Sequence, residues 1–341
     1  MSNKVTIHTV AEACNVSSTT VSLVLNDKPG ISQETREMVL EAARSLGYIP
    51  NSISRRHIKQ HLSTVGMVVK TEPGLIPLSN PFYSQIIVGV DDTCRDMGIS
   101  LLFGMLPVNR HNQPVDMPPL LENSRVDGLL MVGTFIDETV YAIVGDRQLP
   151  IVLVDGYSET NSYDMVVSDN YRASYLAVAH LIQSGHRHIG LIGGESNCYP
   201  SISERRKGYH GALRDHGIEN QYTADFNIYR TQGETETALL LASNPQVSAI
   251  FCVNDNVALG AMRAAQKLNK RIPEHLSIIG YDDTYLASTV SPRLSTVHVD
   301  TQAMGRAAVH LLSMRLEKPG AARLTVTIHS DMIERESTAK R

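Results

Sequence analysis

The chain has 341 residues, 42% hydrophobic and 19% charged, with a net charge of −4. That composition excludes disordered and fibrous classes, and the length exceeds what a single hydrophobic core accommodates, so two or three domains are expected. The opening MSNKVTIHTVAEACNV lacks the apolar stretch of a signal peptide, and no uninterrupted apolar run reaches the ~18 residues of a membrane helix. No membrane partner and a cytoplasmic location are therefore expected.

Charge is unevenly spread. Residues 1–60 carry seven Lys/Arg against five Asp/Glu, which leaves 24 against 30 for the remainder, a balance of +2 for the head and −6 for the body. An excess of this size is the right sign for nucleic acid but modest. Cys14, Cys94, Cys198 and Cys252 show no CxxC or Cys/His ligand spacing, so neither a disulfide framework nor a zinc site is indicated.

Residues 6–47 hold helical patterns and no strand pattern. Thr6 suits the N-cap of a first helix burying Ile7, Val10, Ala11 and Cys14. Asn15 and Val16 form a turn, and Ser17 caps a second helix through Leu25, with Val21, Val24 and Leu25 inward and Ser18, Thr19 and Ser22 outward. A third helix starts at Ser32, buries Val39, Ala42, Ala43 and Leu46, and stops at Gly47. Residues 51–60 (NSISRRHIKQ) form a basic linker without a core of its own.

From Val65 the pattern alternates: VGMVV, a helix from about Pro81 to Met97, ISLLFG, DGLLMVG, PIVLVD, a helix from about Ala173 to Ser184, HIGLIGG, a helix through Tyr209, AIFCV, a helix from Asn256 to Leu268, and SIIGYD. Such βα alternation predicts parallel sheets covered by helices. The run is too long for one sheet, so two doubly wound subdomains with a ligand cleft between them are expected.

A helix-turn-helix lays its second helix in the major groove and presents short polar side chains to base edges; Ser18, Thr19 and Ser22 beside apolar Val21 and Val24 fit that use. A purely structural three-helix cluster fits the same pattern. GHRHIG lies at a helix end, where His and Arg complement the dipole. There is no GxxxxGK[ST], GxSxG or HExxH and no nucleophile-base constellation, so neither an enzyme nor a cofactor is indicated.

TIHTVAEACNVSSTTVSLVLN followed by GISQETREMVLEAARSLGYIPN resembles the headpiece of the lactose-repressor (LacI/GalR) family nearly position by position. The resemblance continues through VDGLLMVG, LPIVLVD, VVSDN, HLIQSGHRHIGLIGG, ERRKGYHGAL, VNDNVALGAM, RIPEHLSIIGYDD, SPRLSTVHVD and MIERES. It implies an N-terminal all-α helix-turn-helix headpiece (1–60, with a hinge helix at about 51–60) before a two-subdomain periplasmic-binding-protein-like core of residues 61–341. Subdomain one would take about 61–165 and 297–322, and subdomain two about 166–296 and 323–341.

The resemblance further implies a transcription regulator, a repressor, whose partners are operator DNA, a small effector and a second copy of itself. Ser18 and Thr19 would read bases, with Thr6, Ser17, Thr20, Ser22, Asn26, Tyr48 and Asn51 around them. Leu23 stands where a polar or basic residue is usual, and either touches a thymine methyl or merely packs. The minor-groove leucine of relatives falls on His57; Ile58 is the expected wedge, with Arg55 and Arg56 on phosphate or groove, although a solvated charge run reads the same way. In the cleft the matching motifs point to Asp155, Arg205, Asn254 and Asp282, with Phe82, Tyr83, Tyr199, Ser201 and Arg230 near them.

Asp and Asn accepting from hydroxyls while Arg donates suits a sugar or sugar derivative. Arg230, at a position often aromatic, favours a sugar acid or phosphosugar unless it simply meets water. Pairing of Arg205 with Asp282, and capping of a loop by Asp155, are the alternative uses of these residues. No apolar heptad follows MIERESTAK, so a dimer is expected over a tetramer. An exported sugar-binding protein shares the body but not the headpiece.

Overall fold

The computed structural model describes residues 6–25, 28–46, 48, 62–71, 80–109, 114–122, 126–133, 137–145, 149–194, 199–226, 228 and 233–341. They fall into two compact units, Met1–His61 and Leu62–Arg341.

The first unit contains α1 (Ile7–Ala13), α2 (Ser18–Leu25) and α3 (Gln33–Ser45). Thr6 Oγ1 accepts from the Thr9 N–H at 3.4 Å, and the Thr6 N–H donates back to Thr9 Oγ1 at 3.2 Å, a reciprocal cap. Asn15 turns the chain with φ 51°, a left-handed conformation that asparagine tolerates. Ser17 and Ser32 start the next two helices by accepting from the Thr20 and Thr35 N–H groups at 3.0 and 3.2 Å. Val10, Ala11, Cys14, Val21, Val24, Val39 and Ala43 form the core, as the helical periodicity requires.

The second unit runs β1 (Thr64–Thr71), α4 (Pro81–Asp96), β2 (Ser100–Pro107), α5 (Pro119–Glu122), β3 (Gly128–Val132), α6 (Asp137–Val144), β4 (Ile151–Val154), β5 (Asp164–Ser168), α7 (Asn170–Gln183), β6 (Ile189–Ile192), α8 (Pro200–Asp215), β7 (Tyr222–Ala224), α9 (Glu234–Ser243), β8 (Ala249–Cys252), α10 (Asp255–Lys267), β9 (Ser277–Ile279), α11 (Tyr285–Thr289), β10 (Thr296–Val299), α12 (Thr301–Glu317), β11 (Thr325–Ile328) and β12 (Ser330–Ile333). A six-stranded parallel sheet has the order β11-β5-β4-β3-β1-β2 and a four-stranded parallel sheet the order β7-β6-β8-β9; β10 and β12 pair antiparallel. Two doubly wound sheets are the expected architecture.

Alternation sorts each strand's side chains to opposite faces. Val65, Met67 and Val69 join the larger core, whereas Val68, Leu129 and Leu153 join a second core on the other face of the first sheet. Covered on both faces, these strands read as continuous apolar runs. α4 and α12 cross where neither can carry a side chain: a Cβ on Gly89 would strike the Gln302 carbonyl, and one on Gly305 the Ile86 carbonyl.

One boundary differs from the sequence expectation. The resemblance implies that residues 323–341 belong to the second subdomain, but β11 pairs with β5 in the first sheet. The cause is Asp164, wholly buried at the start of β5. It binds Arg315 of α12 through both carboxylate oxygens, at 2.6 and 2.8 Å, and accepts the Leu324 N–H at 2.8 Å, which draws the chain leaving α12 back to that edge. Only the segment from β12 onward crosses over.

The first histidine of GHRHIG, His186, serves the core. Gly185 turns the chain at φ 97°, and buried His186 bridges Ser248 Oγ at 2.9 Å and Ser277 Oγ at 3.1 Å, tying the end of α7 to the starts of β8 and β9. Arg187 Nη1 donates to the Ile182 carbonyl at the α7 C-terminus.

Candidate functional site

On the headpiece, Thr19 is exposed, Ser18, Thr20, Ser22 and Leu23 are half-buried, and Ser17 is exposed but engaged with Thr20. Ser18 Oγ meets His8 Nδ1 at 3.0 Å, joining α2 to α1. Thr6 is held in its cap, and Tyr48 packs against the three-helix core with its N–H on the Ala43 carbonyl. Asn26, Asn51, Arg55, Arg56, His57 and Ile58 lie outside the described residues.

In the body, polar side chains converge at the carboxyl ends of the parallel strands, where open α/β sheets bind ligands. Arg205, buried on α8, is the hub. Its Nε donates to Asn170 Oδ1 at 2.8 Å, Nη1 donates to the Val253 carbonyl at 2.7 Å and lies 3.1 Å from Asp282 Oδ1, and its guanidinium carbon sits 3.7 Å over the Tyr281 ring. The Asp282 contact is a close ion pair without hydrogen-bond alignment, and Oδ1 has no hydrogen-bond partner among the described residues. Asn170 also donates to the Tyr157 hydroxyl at 3.0 Å, so one amide orients both groups.

Asp155 follows β4, is 5% exposed, and keeps Oδ1 without a partner among the described residues while Tyr83 Oη reaches Oδ2 at 3.5 Å. Burial pushes its carboxyl up to about 7, against the pull of Arg205. Burial likewise raises Asp282 to about 6, and Asp255 to about 7. Asp255 is already covered by Thr284 and Thr296. Asp155 and Asp282 stand at φ 52° and 105°, a strained backbone of the kind that persists at functional sites.

Phe82 and Tyr83 open α4, with rings edge to face at 5.5 Å. Tyr199 and buried Ser201 open α8. Asn254 uses its side-chain oxygen to cap α10, accepting the Val257 N–H at 2.8 Å. Beside the ring a cavity of about 630 Å³ is walled by Phe82, Gln85, Asp282, Asp283, His298 and Thr301 among others. Arg230 lies outside the described residues. Sequence reasoning missed Lys70, Tyr157, Asn170 and Tyr281. Lys70, a lone charge ending an apolar strand, carried the clearest signal. Among the described residues no group of three or more His, Cys, Asp or Glu is placed to hold a metal ion.

Residues 6–51 match the family described as bacterial regulatory proteins, lacI family, and residues 178–338 match the periplasmic binding protein-like domain. A relative named HTH-type transcriptional repressor PurR, from Mannheimia succiniciproducens, is 31% identical over 98% of this chain and 99% of its own length. The chain belongs to the lacI family of bacterial regulatory proteins. The repressor of the same name from Aliivibrio salmonicida is 30% identical over 98% of this chain and 99% of its own. Among solved structures, a transcriptional regulator CelR-cellobiose complex is 28% identical with TM-score 0.69, covering 98% of this chain and 99% of that one. The lac repressor dimer bound to operator and the anti-inducer ONPF is 25% identical with TM-score 0.67, covering 99% and 100%. This lacI-family protein is thus a DNA-binding transcription regulator with an effector-sensing body, and its relatives are repressors rather than enzymes. Among the described residues no helix is long and apolar enough to cross a membrane.

Proposed function

We propose that the protein is a cytoplasmic homodimeric repressor that binds a near-palindromic operator through residues around Ser18, Thr19, Ser22 and Leu23 and answers to a small hydroxylated metabolite, a sugar or sugar derivative. The effector is held in the cleft by Asp155, Arg205 and Asp282, with Phe82, Tyr83, Tyr199 and Ser201 about it. The body divides into a first subdomain of about residues 61–165 and a second of about 166–296, joined by the returning segments. The observation that carries the effector reading is this set of groups at the strand ends: a buried arginine held through Nε and Nη1, two strained aspartates, and a carboxylate oxygen on Asp155 that no described residue satisfies. A buried acceptor in that state favours a ligand that donates to it.

Operator dimers and sugar complexes among the neighbours support this reading. The experiment is gel retardation of the protein's own promoter region at low salt. Retardation that declines steeply with salt and is altered by a metabolite is expected. A chain that never retards that DNA would sink the proposal. The aromatic faces of Phe82, Tyr83 and Tyr199 favour, as a second reading, a planar heterocycle in the same cleft, which a ligand screen separates from sugars.

A further inference from the structure

Resting on that effector reading, a second feature of the ring narrows the ligand. Val69, Val132 and Val154 are register partners across β1, β3 and β4. The residues that follow them, Lys70, Gly133 and Asp155, therefore stand in one row at the carboxyl edge of the first sheet. With strands about 4.8 Å apart, the lysine and the aspartate flank the glycine at about 10 Å. Gly133 holds φ 100° and puts no side chain into the gap; a Cβ there would lie 3.1 Å from Lys70 Cβ and 3.7 Å from the Tyr83 hydroxyl.

Lys70 is 8% exposed, so its charge is held out of water at the inner end of the strand. Its Nζ lies 3.6 Å from the ring centroid of Tyr199, which leads into α8 behind the second sheet's β6. The ammonium thus reaches across the cleft and rests on an aromatic face, a favourable arrangement for a desolvated cation. Asp155, at the other end of the row, is 5% exposed and keeps the unsatisfied oxygen. With Arg205 and Asp282 opposite, the described residues of the ring supply two cations and two carboxylates.

We propose that Lys70 is an effector-recognition residue, and that Lys70 and Asp155 together read an uncharged group presenting an acceptor oxygen beside an O–H or N–H donor. The ammonium donates to the acceptor, and Asp155 Oδ1 takes the donor. A vicinal diol of a sugar and a lactam edge of a nucleobase share this chemistry. A carboxylate or phosphate would face Asp155 and Asp282, and an ammonium would face Lys70 and Arg205, so full charges of either sign are disfavoured.

The test is calorimetry on the full chain and on Lys70→Met and Lys70→Arg, with ribose, galactose, cellobiose, galacturonate, ribose 5-phosphate, glucosamine, hypoxanthine and uracil as probes. The tightest probe is expected to be uncharged, to lose about ten- to hundred-fold in affinity with Lys70→Met, and to recover part of that with Lys70→Arg, the scale of one charge-assisted hydrogen bond. Sugar or nucleobase binding tells the two sources apart. A tightest probe that is charged, the same affinity in Lys70→Met, or no binding by any probe overturns the proposal, while promoter retardation by the same preparation shows whether the regulatory reading survives it. A second arm needs no ligand. The chain contains no tryptophan, so Tyr199→Trp is a single reporter. Adding Lys70→Met should raise its acrylamide quenching at least about two-fold if the ammonium covers the ring; unchanged quenching removes the cross-cleft contact.

Discussion

Arg205 and Asp282 meet at 3.1 Å between Nη1 and Oδ1, with the same nitrogen also donating to the Val253 carbonyl. The arginine comes from α8 and the aspartate from the strained end of β9, so the pair joins a helix to the far edge of its sheet. Planar donors in a fixed fork are needed to serve Asn170, Val253 and Asp282 at once, which an ammonium cannot do. Arg205→Lys should therefore keep the charge and still lose most effector affinity. Arg205→Met removes the described cation that faces the largely covered Asp282 carboxylate and should destabilise the body by about 3 kcal/mol. Denaturant unfolding and calorimetry separate the two effects; a lysine variant with the original ligand affinity would contradict the fork.

Asp155 supplies a pH signature. Its carboxyl is raised by burial to about 7, while in the unfolded chain it ionises near 3.8. Between those values the folded state holds a proton that the unfolded state has lost, so its contribution to stability declines as pH rises from about 4 to 7. Asp255 and Asp282 add to the same slope. Buried His186 and half-buried His210, whose protonation is disfavoured, oppose it below about 6.5. Arg205, Lys70, Tyr83 and Asp282 all face Asp155, so wild type is compared with Asp155→Asn. The variant's Tm should fall less between pH 5 and 7. A donor ligand needs the ionised form, so its stabilisation of wild type should grow over the same interval. Parallel profiles for the two proteins would exclude Asp155 as the source.

Much of this is written locally in the chain. Ser17 and Ser32 cap the helices that their positions predict, and the Val10, Val21, Val24 and Val39 core follows from 3.6-residue spacing. VVK, MVG and LVD each end a strand, but that their last residues share a row depends on β3 lying between β1 and β4, a long-range fact. The same holds for Ser18, whose partner His8 is on another helix, and for β11, placed by Asp164 and Arg315, which stand 151 residues apart. α12 is less legible although Met304, Ala308, Leu311 and Leu312 repeat with helical spacing, because the glycine that lets it cross α4 weakens the local helical signal.

Asn254 separates a motif's position from its task. Its oxygen caps α10 at 2.8 Å, so Asn254→Ala should cost about 1 kcal/mol of stability while Asn254→Asp, which caps equally well, costs little. Effector affinity in Asn254→Asp should stay within a few-fold of wild type. Calorimetry that finds a hundred-fold loss would return Asn254 to the ligand-contacting set.

On the headpiece, Ser17 and Thr19 should fail in different ways. Ser17 Oγ accepts the Thr20 N–H at the start of α2, so Ser17→Ala removes a cap worth about 1 kcal/mol and should lower headpiece stability and binding to all DNA sequences alike. Thr19 is exposed on the first turn of the same helix and holds no cap, so Thr19→Ala should leave the melting temperature unchanged. If it reads a base, its loss should relax preference at one operator position, with a penalty of about 1–3 kcal/mol confined to the original base pair. Retardation of a set of single-base operator variants measures both. A Thr19→Ala protein that discriminates those variants as wild type does would move base reading elsewhere on α2, with Ser22 and Leu23 the next positions along its surface.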